Sequence, residues 1–495
     1  MRNVKTLPGM LLLLINVMTV AALAMVSTRL FGVADGARIA VAFTVAYLVP
    51  LVLLCRARGT SYASQLLLLL LAVFLSWVAI DSMQYWIELD GYSLQRPNLE
   101  GDAREYYKWA LYRYDGSVEP TSTVFPGFPL VMLTLWKMFG LSVVWPLALN
   151  MMCTLLSVVL TGMMTRRLLA HRVTASHQTL VLCGMLLTCL LCYYLMSGIS
   201  ILKEGILFLS VSLAGFALSS MDSSEEERHR LVRDIVLFVF ACLMIALVRT
   251  TFLYVLLLGV LVMTVPHWRR DWVLSLSLIA LIGVLVVVGN HFASYSFGRH
   301  AEIASGGWNM QRIYYSKAVY MNLIGYYFLY SPLHKLALLP VTMSLQFILP
   351  LPWMQHLEEP YIQCLISRIN YGWYLVGAIS MFYVLFLSWR RGVNMGAWPW
   401  WPVIYYIALA YVMGGAMARY LLPVEPLLVP VVVYVICLLY EGRWCRSFVV
   451  WMICLAIVLT IALLLCLEIQ TGVVSKWLNT PSLLADLKSL FHIFI

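Results

Sequence analysis

Long apolar runs separated by short charged segments are the feature that most restricts the fold of this chain. The first run extends from Leu7 to Val26, and similar runs recur as far as residue 467. A run of about 20 apolar residues crosses roughly 30 Å of hydrocarbon as a helix, which satisfies its own backbone hydrogen bonds there. Strand-like alternation is absent, which argues against a transmembrane barrel. The sequence therefore predicts an all-α polytopic membrane protein with about 13 transmembrane helices.

The composition agrees with a membrane protein. Of the 495 residues, 62% are hydrophobic and 11% are charged, and the mean hydropathy is +0.87. A soluble domain carries roughly a quarter of charged residues, so this chain has too few to cover a surface in water. The net charge of +10 does not indicate nucleic-acid binding, because the basic residues lie in short loops that orient a membrane protein. We interpret the basic N-terminus and first run as a retained helix rather than a cleaved signal peptide.

Basic residues in short loops indicate which helix ends face the cytoplasm. We place the following residues inside: Arg56, Arg166, Arg269, Arg390 and Arg443. This predicts six regions: N-terminal helices 1–82, a first outer loop 83–140, central helices 141–291, a second large outer loop 292–371, C-terminal helices 372–467 and an outer tail 468–495. The predicted helices are 7–28, 38–55, 62–82, 141–165, 176–197, 205–220, 271–291, 372–389, 397–417, 420–440 and 447–467, with residues 222–234 as a solvated cytoplasmic loop.

Three apolar segments do not fit simple spans. Residues 125–140 open with two prolines and are predicted as an interfacial helix or partial insertion at the outer face. Residues 336–353 have both flanks outside and are predicted to be re-entrant or interfacial. The run 235–265 holds one charge, Arg249, near its middle. We interpret this run as a hairpin of two short helices that places Arg249 in a recess at the outer side, where a cation needs an anionic partner.

The first outer loop contains the most distinctive polar stretch. A helix started at Asp102 places Glu105, Tyr106 and Trp109 on one face, because positions three, four and seven apart line up. Carboxylates can accept a proton and aromatic rings can stack against a sugar. The alternative interpretation is a solvated helix in an extramembrane loop, in which Asp102 stabilises the helix N-terminus.

Other polar residues are predicted on the same outer face. They are Lys203, Glu204, Arg249, Arg312 and Arg419. Arginine holds phosphate with forked donors, and a carboxylate can take a hydroxyl proton, so this set fits an anionic lipid headgroup together with a polyol. The alternatives are an interfacial Lys203–Glu204 pair without a role and an Arg419 side chain that extends to the interface. No histidine or cysteine spacing is typical of a metal site, and no cofactor is expected.

Two segments resemble those of a known superfamily. The GT-C membrane glycosyltransferases, in particular bacterial family 39 types such as protein mannosyltransferase-like and aminoarabinose transferase-like enzymes, have a first outer loop similar to Gly101-Asp102-x-x-x-Tyr106 with Ala110, followed by Phe125-Pro126-Gly127-Phe128-Pro129. Their late arginine-and-proline turn is similar to Arg419-Tyr420-Leu421-Leu422-Pro423-x-x-Pro426. The resemblance implies a GT-C-like helical bundle in a bacterial inner membrane, with the active site on the periplasmic or extracellular side.

The resemblance also implies a reaction. Asp102 corresponds to the catalytic aspartate, with Glu105 as its partner, and the donor is a polyprenyl-phosphate sugar rather than a nucleotide sugar. The expected activity is inverting transfer to a hydroxyl of a glycan, lipid or protein. Two segments, Ser200–Glu204 and Leu349–Trp353, look more like polysaccharide polymerases that join lipid-linked repeat units. A transporter or flippase of lipid-linked sugars is a further alternative, and it would place its charges near the bilayer midplane.

Overall fold

The part of the chain that the structure describes is almost entirely helical. The computed structural model describes residues 7–57, 59–116, 127–191, 200–220, 231–264, 376–388, 398–413, 424–442 and 448–454, with a few isolated positions besides. Within these ranges no strand occurs, and a single bridge from Ser93 to Arg96 closes a turn. The all-α prediction is confirmed for these residues. The predicted re-entrant segment 336–353 and the tail 468–495 lie outside the ranges.

The helices are numbered along the chain as they occur in the described ranges. They are α1 Leu7–Arg56, α2 Tyr62–Ile87, α3 Gly101–Asp115, α4 Gly127–Phe139, α5 Val144–Leu169, α6 His177–Cys189, α7 Glu204–Leu218, α8 Leu231–Thr264, α9 Val376–Ser388, α10 Trp400–Met413 and α11 Glu425–Tyr440. The chain divides into two compact units, Met1–Leu253 and Tyr254–Ile495, and the division falls inside α8.

Helix α1 is a hairpin of two helical arms rather than one long rod. Its backbone leaves the helical region at Gly32, which has φ 80° and ψ 173°. Tyr47 donates a hydrogen bond to Asn16, 31 residues away, although a straight helix would separate them by about 46 Å. A Cβ added to Gly36 would lie 2.4 Å from the Cα of Thr28. The arms therefore run back along each other, as predicted for two helices, but they meet at a single residue instead of a loop over 29–37.

Within the described part of the chain, three helices are long and apolar enough to cross a membrane, namely α1, α2 and α5. This supports a membrane protein, and each arm of α1 has about the length of one span. Helices α4, α6, α7, α9 and α11 are apolar but shorter. The predicted span 176–197 corresponds to α6, which has only 13 residues and is too short to cross alone. The described residues thus do not confirm about 13 spans.

Helix α5 is the centre of the first unit. It contacts α1, α2, α4, α6 and α7, and nearly all of its side chains are buried. Its buried hydroxyls donate to carbonyls of the preceding turn, as Thr154 does to Asn150 and Thr165 to Thr161. These hydroxyl groups are thereby satisfied within their own helix. Small residues bring α6 close, since a Cβ on Gly184 would lie 2.7 Å from the Thr165 hydroxyl, a packing common between membrane helices.

A buried ion pair joins the far end of α5 to the start of α8. Arg167 contacts Asp234 at 3.1 Å, and both side chains are 2% exposed. Arg167 also donates to the carbonyl of Phe216 and lies 3.8 Å from its ring centroid, while Arg233 binds the other carboxylate oxygen of Asp234 at 2.7 Å. The prediction that residues 222–234 are a solvated loop is therefore wrong at its end, because α8 begins at Leu231 and buries Asp234 in its first turn.

The second unit is held together by indoles that donate to backbone carbonyls. Trp398 donates to Leu427 of α11 at 3.0 Å, and Trp451 donates to Ile379 of α9 at 3.3 Å. Trp401 of α10 packs so closely on α8 that a Cβ on Gly259 would lie 1.9 Å from its ring. These bonds satisfy the indole N–H groups of Trp398 and Trp451.

Candidate functional site

Helix α3 presents the acidic stretch of the first loop. It begins at Gly101 and ends before Gly116, which adopts the left-handed conformation that favours glycine at a helix end. Asp102 is exposed in the first turn, where a negative charge is favourable. The N-cap is Glu100, and its side chain makes no capping bond. Asp102 is therefore not the N-cap, but its charge in the first turn agrees with the alternative interpretation that it stabilises the helix N-terminus. Glu105 is partly buried, and its carboxylate lies 3.6 Å from Arg104.

Aromatic side chains fix α3 against α4. The rings of Tyr106 and Phe128 meet edge to face at 5.8 Å between centroids, and those of Tyr107 and Trp136 at 4.8 Å. The Tyr107 hydroxyl donates to the Gln95 carbonyl at 2.9 Å. Burial raises the pKa of Tyr107 well above its usual value, so the phenol keeps its proton and remains a donor. These contacts hold the helix that carries Asp102 in one orientation.

The turn before α7 brings Lys203 to α3. The side-chain amide of Asn150 on α5 donates to the carbonyls of Ser200 and Leu202, at 2.6 and 2.7 Å. This turn is thereby tied to α5, and the Lys203 ammonium lies 5.8 Å from the Tyr106 ring centroid. Such a cation–π contact is weak at a partly exposed position, about 0.5–1 kcal/mol. Its importance is positional, since it joins residues that lie far apart in the sequence.

The start of α4 lies against α8 next to Arg249. A Cβ added to Gly127 would lie 1.7 Å from the carbonyl oxygen of Leu247, so only glycine permits this approach. Two residues further on, Arg249 is the position where the backbone of α8 departs from helical geometry, with φ −157° and ψ 79°. The predicted junction of two helical segments is therefore present at Arg249. Whether the second segment turns back as a hairpin stays a prediction.

The structure gathers several of the predicted residues around the start of α4. Tyr106 contacts Lys203 directly, and the succession of Tyr106, Phe128 and Gly127 leads to the α8 segment beside Arg249, which is half-buried. Glu204 starts α7 but is fully buried, so in this conformation its side chain is closed to a ligand from solvent. Arg312 and Arg419 lie outside the described residues.

Sequence reasoning missed Asn150 and the role of Gly127. A lone asparagine inside an apolar run was the signal for the first, since amides in such runs usually bond to a neighbouring helix. The Gly127 contact is between distant segments and leaves no local signal. Among the residues that the structure describes, no group of three or more His, Cys, Asp or Glu is placed to hold a metal ion.

Asp102 is exposed one helical turn before Tyr106, the Tyr106 ring contacts Lys203, and Gly127 packs against the α8 segment that contains Arg249. A carboxylate there can accept a proton, while lysine and arginine can neutralise a phosphate. Comparison of the chain with models of protein families, with curated proteins and with solved structures gives no match. The chemistry of the site must therefore carry the functional argument.

Proposed function

We propose that this chain is a membrane glycosyltransferase. It is a multi-pass protein of the bacterial inner membrane. It moves a sugar from a polyprenyl-phosphate carrier to an acceptor hydroxyl at the outer face of that membrane. The observation that supports this most is the meeting of α3, Lys203 and the segment at Arg249 around the start of α4. The sequence predicts a proton acceptor on α3 and phosphate-binding cations at Lys203 and Arg249.

The proposed reaction needs one carboxylate. Asp102 takes the proton of the acceptor hydroxyl, and the oxygen of that hydroxyl forms a bond to the anomeric carbon of the sugar. The bond from that carbon to the carrier phosphate breaks, and the electron pair leaves with the phosphate. Because a phosphate is a good leaving group once its charge is met, no general acid is required. Attack from the face opposite the phosphate inverts the configuration.

The cations stabilise the departing phosphate. Arg249 and Lys203 supply this charge among the described residues. The resemblance adds Arg419 as a candidate, and the predicted second outer loop adds Arg312. The sequence predicts that Tyr106 stacks on the sugar, but its ring is buried against Phe128 and Lys203, so Tyr106 positions Lys203 instead. Glu105 supports Asp102 from the next turn of α3. Glu204 acts on the position of Lys203 rather than on the substrate, because it is fully buried.

Cleavage of the donor distinguishes an enzyme from a transporter. The protein is reconstituted in liposomes with a polyprenyl-phosphate sugar labelled in the sugar, together with candidate glycan, lipid and protein acceptors. A glycosyltransferase transfers the label to an acceptor and leaves unglycosylated polyprenyl phosphate. A flippase moves the intact donor between leaflets without breaking the bond. Movement of intact donor without transfer would contradict the proposal.

A further inference from the structure

A second polar site lies at the opposite end of the first unit. A cavity of about 300 Å³ is lined by residues from the ends of α1, α5 and α7 and from the start of α8: Leu53, Arg56, Ala57, Met163, Arg166, Arg167, Phe216 and Arg233. Four of these eight residues are arginines. From Asn150 to Arg166 helix α5 rises by about 24 Å, so the cavity is distinct from the site around α4.

The arginines have different surroundings in the cavity. Arg166 and Arg167 are 8% and 5% exposed, whereas Arg56 and Arg233 are exposed. Two buried guanidinium groups therefore form the inner wall and two exposed ones stand at the mouth.

A carboxylate of α8 fixes two of the arginines. Asp234 binds Arg167 with one oxygen and Arg233 with the other, and it does not line the cavity. Arg167 is also fixed by the ring and carbonyl of Phe216, so its orientation is set before any ligand arrives.

We infer that this cavity binds a phosphate group. Guanidinium forks match the geometry of phosphate oxygens and are less strongly hydrated than ammonium, which favours arginine over lysine at partly buried anion sites. The volume is at the lower end for ligand pockets and fits a phosphate with a small headgroup. The phosphate comes either from an anionic membrane lipid or from a soluble phosphate. On the predicted topology the site faces the cytoplasm, away from the proposed transfer reaction.

Two arms of one binding experiment separate the sources. Protein purified in neutral detergent is titrated with inorganic pyrophosphate in one arm and with phosphatidylglycerol in the other, and phosphatidylcholine serves as the zwitterionic control. Binding is measured by the midpoint of thermal unfolding and by native mass spectrometry. A response to pyrophosphate indicates a soluble ligand. A response to phosphatidylglycerol alone indicates a lipid headgroup.

Variants tie the binding to the cavity. Arg56→Gln removes an exposed arginine at the mouth, and Arg166→Gln removes a buried one. Each should weaken binding about tenfold or more. Arg172→Gln is the matched control, because Arg172 lies just beyond the end of α5, bonds to the Leu168 carbonyl and is not part of the cavity wall. Arg56→Gln keeps the test valid if Arg166→Gln fails to fold.

Three outcomes would overturn the inference. One is the absence of binding in both arms for the wild-type protein. Another is an equal loss for Arg172→Gln and Arg56→Gln, which would indicate a general effect of charge. The third is binding only after Glu225, Glu226 and Glu227, which lie in the sequence between α7 and α8, are replaced by glutamine. That result would mean that the chain's own carboxylates meet the arginines.

Discussion

At the scale of single residues, burial separates charges that stabilise the fold from those that are available to a ligand. Asp234 and Arg167 are shielded from solvent and bonded to each other, whereas Asp102 is exposed at a helix start. A buried pair gives little net stability, but removing one partner leaves an uncompensated charge. An exposed carboxylate can change without that cost. Substitution of Asp234 should therefore destabilise the fold, whereas substitution of Asp102 should leave its stability nearly unchanged.

The buried pair predicts a loss of stability from a single change. Arg167→Met should lower the free energy of unfolding by about 1–3 kcal/mol, because Asp234 would lose one buried partner while Arg233 still binds its other oxygen. The loss is measured by unfolding in mixed micelles. In the double variant Arg167→Met, Asp234→Leu the loss should be smaller than the sum of the single losses. Additive losses would show that the two side chains do not interact.

At the scale of elements, the start of α4 connects α3 to the break in α8. Gly127 permits a backbone contact with Leu247, and the next residue, Phe128, packs on Tyr106. A side chain at position 127 has no space, so α4 must move away from α8. The relation between Arg249 and α3 depends on this contact.

We therefore expect Gly127→Ala to lower the transfer rate strongly while it lowers the free energy of unfolding only moderately. Overpacking should cost about 1–3 kcal/mol in unfolding free energy, while displacement of the site by about 1 Å can lower the rate roughly a hundredfold. Gly9→Ala is the control, because a Cβ there would meet only Tyr62, at 3.7 Å. An unchanged transfer rate in Gly127→Ala would show that α4 does not position the active site.

How much of this the sequence could predict depends on the range of the interaction. Helix α3, the short helix after Pro126 and the break at Arg249 follow local signals, namely periodicity, proline and an isolated charge. The sequence does not predict the single-residue turn at Gly32, because its pattern leaves residues 29–37 between two helices, whereas Asp35 pairs with Arg38 at 2.9 Å on the surface of one helix. The contact of Lys203 with Tyr106 and the burial of Asp234 arise from packing between distant segments, which no local pattern encodes.

At the scale of the whole molecule, the first unit has two unlike polar ends. One end carries α3, Lys203 and the start of α4, and the other carries the arginine cavity. Helix α5 connects them over about 24 Å, most of the thickness of a hydrocarbon core. An outer active site and an inner basic end are what the distribution of basic loops predicts.

Labelling of single cysteines tests this orientation. Asp115→Cys at the end of α3 and Arg172→Cys beyond the end of α5 are placed in a background without native cysteines. In intact cells an impermeant maleimide should label Asp115→Cys, and it should reach Arg172→Cys only after lysis. The reverse pattern would invert the topology and remove the outer location of the site.

The central claim is that Asp102 accepts the proton of the acceptor hydroxyl, and the transfer rate of Asp102→Asn tests it most directly. Asparagine keeps the shape of the side chain but cannot take the proton, so transfer should fall by about a hundredfold or more. Because Asp102 is exposed and Glu100 is the N-cap, unfolding and donor binding should change little, and Glu105→Gln should cost less than Asp102→Asn. Transfer by Asp102→Asn at the wild-type rate would contradict the account.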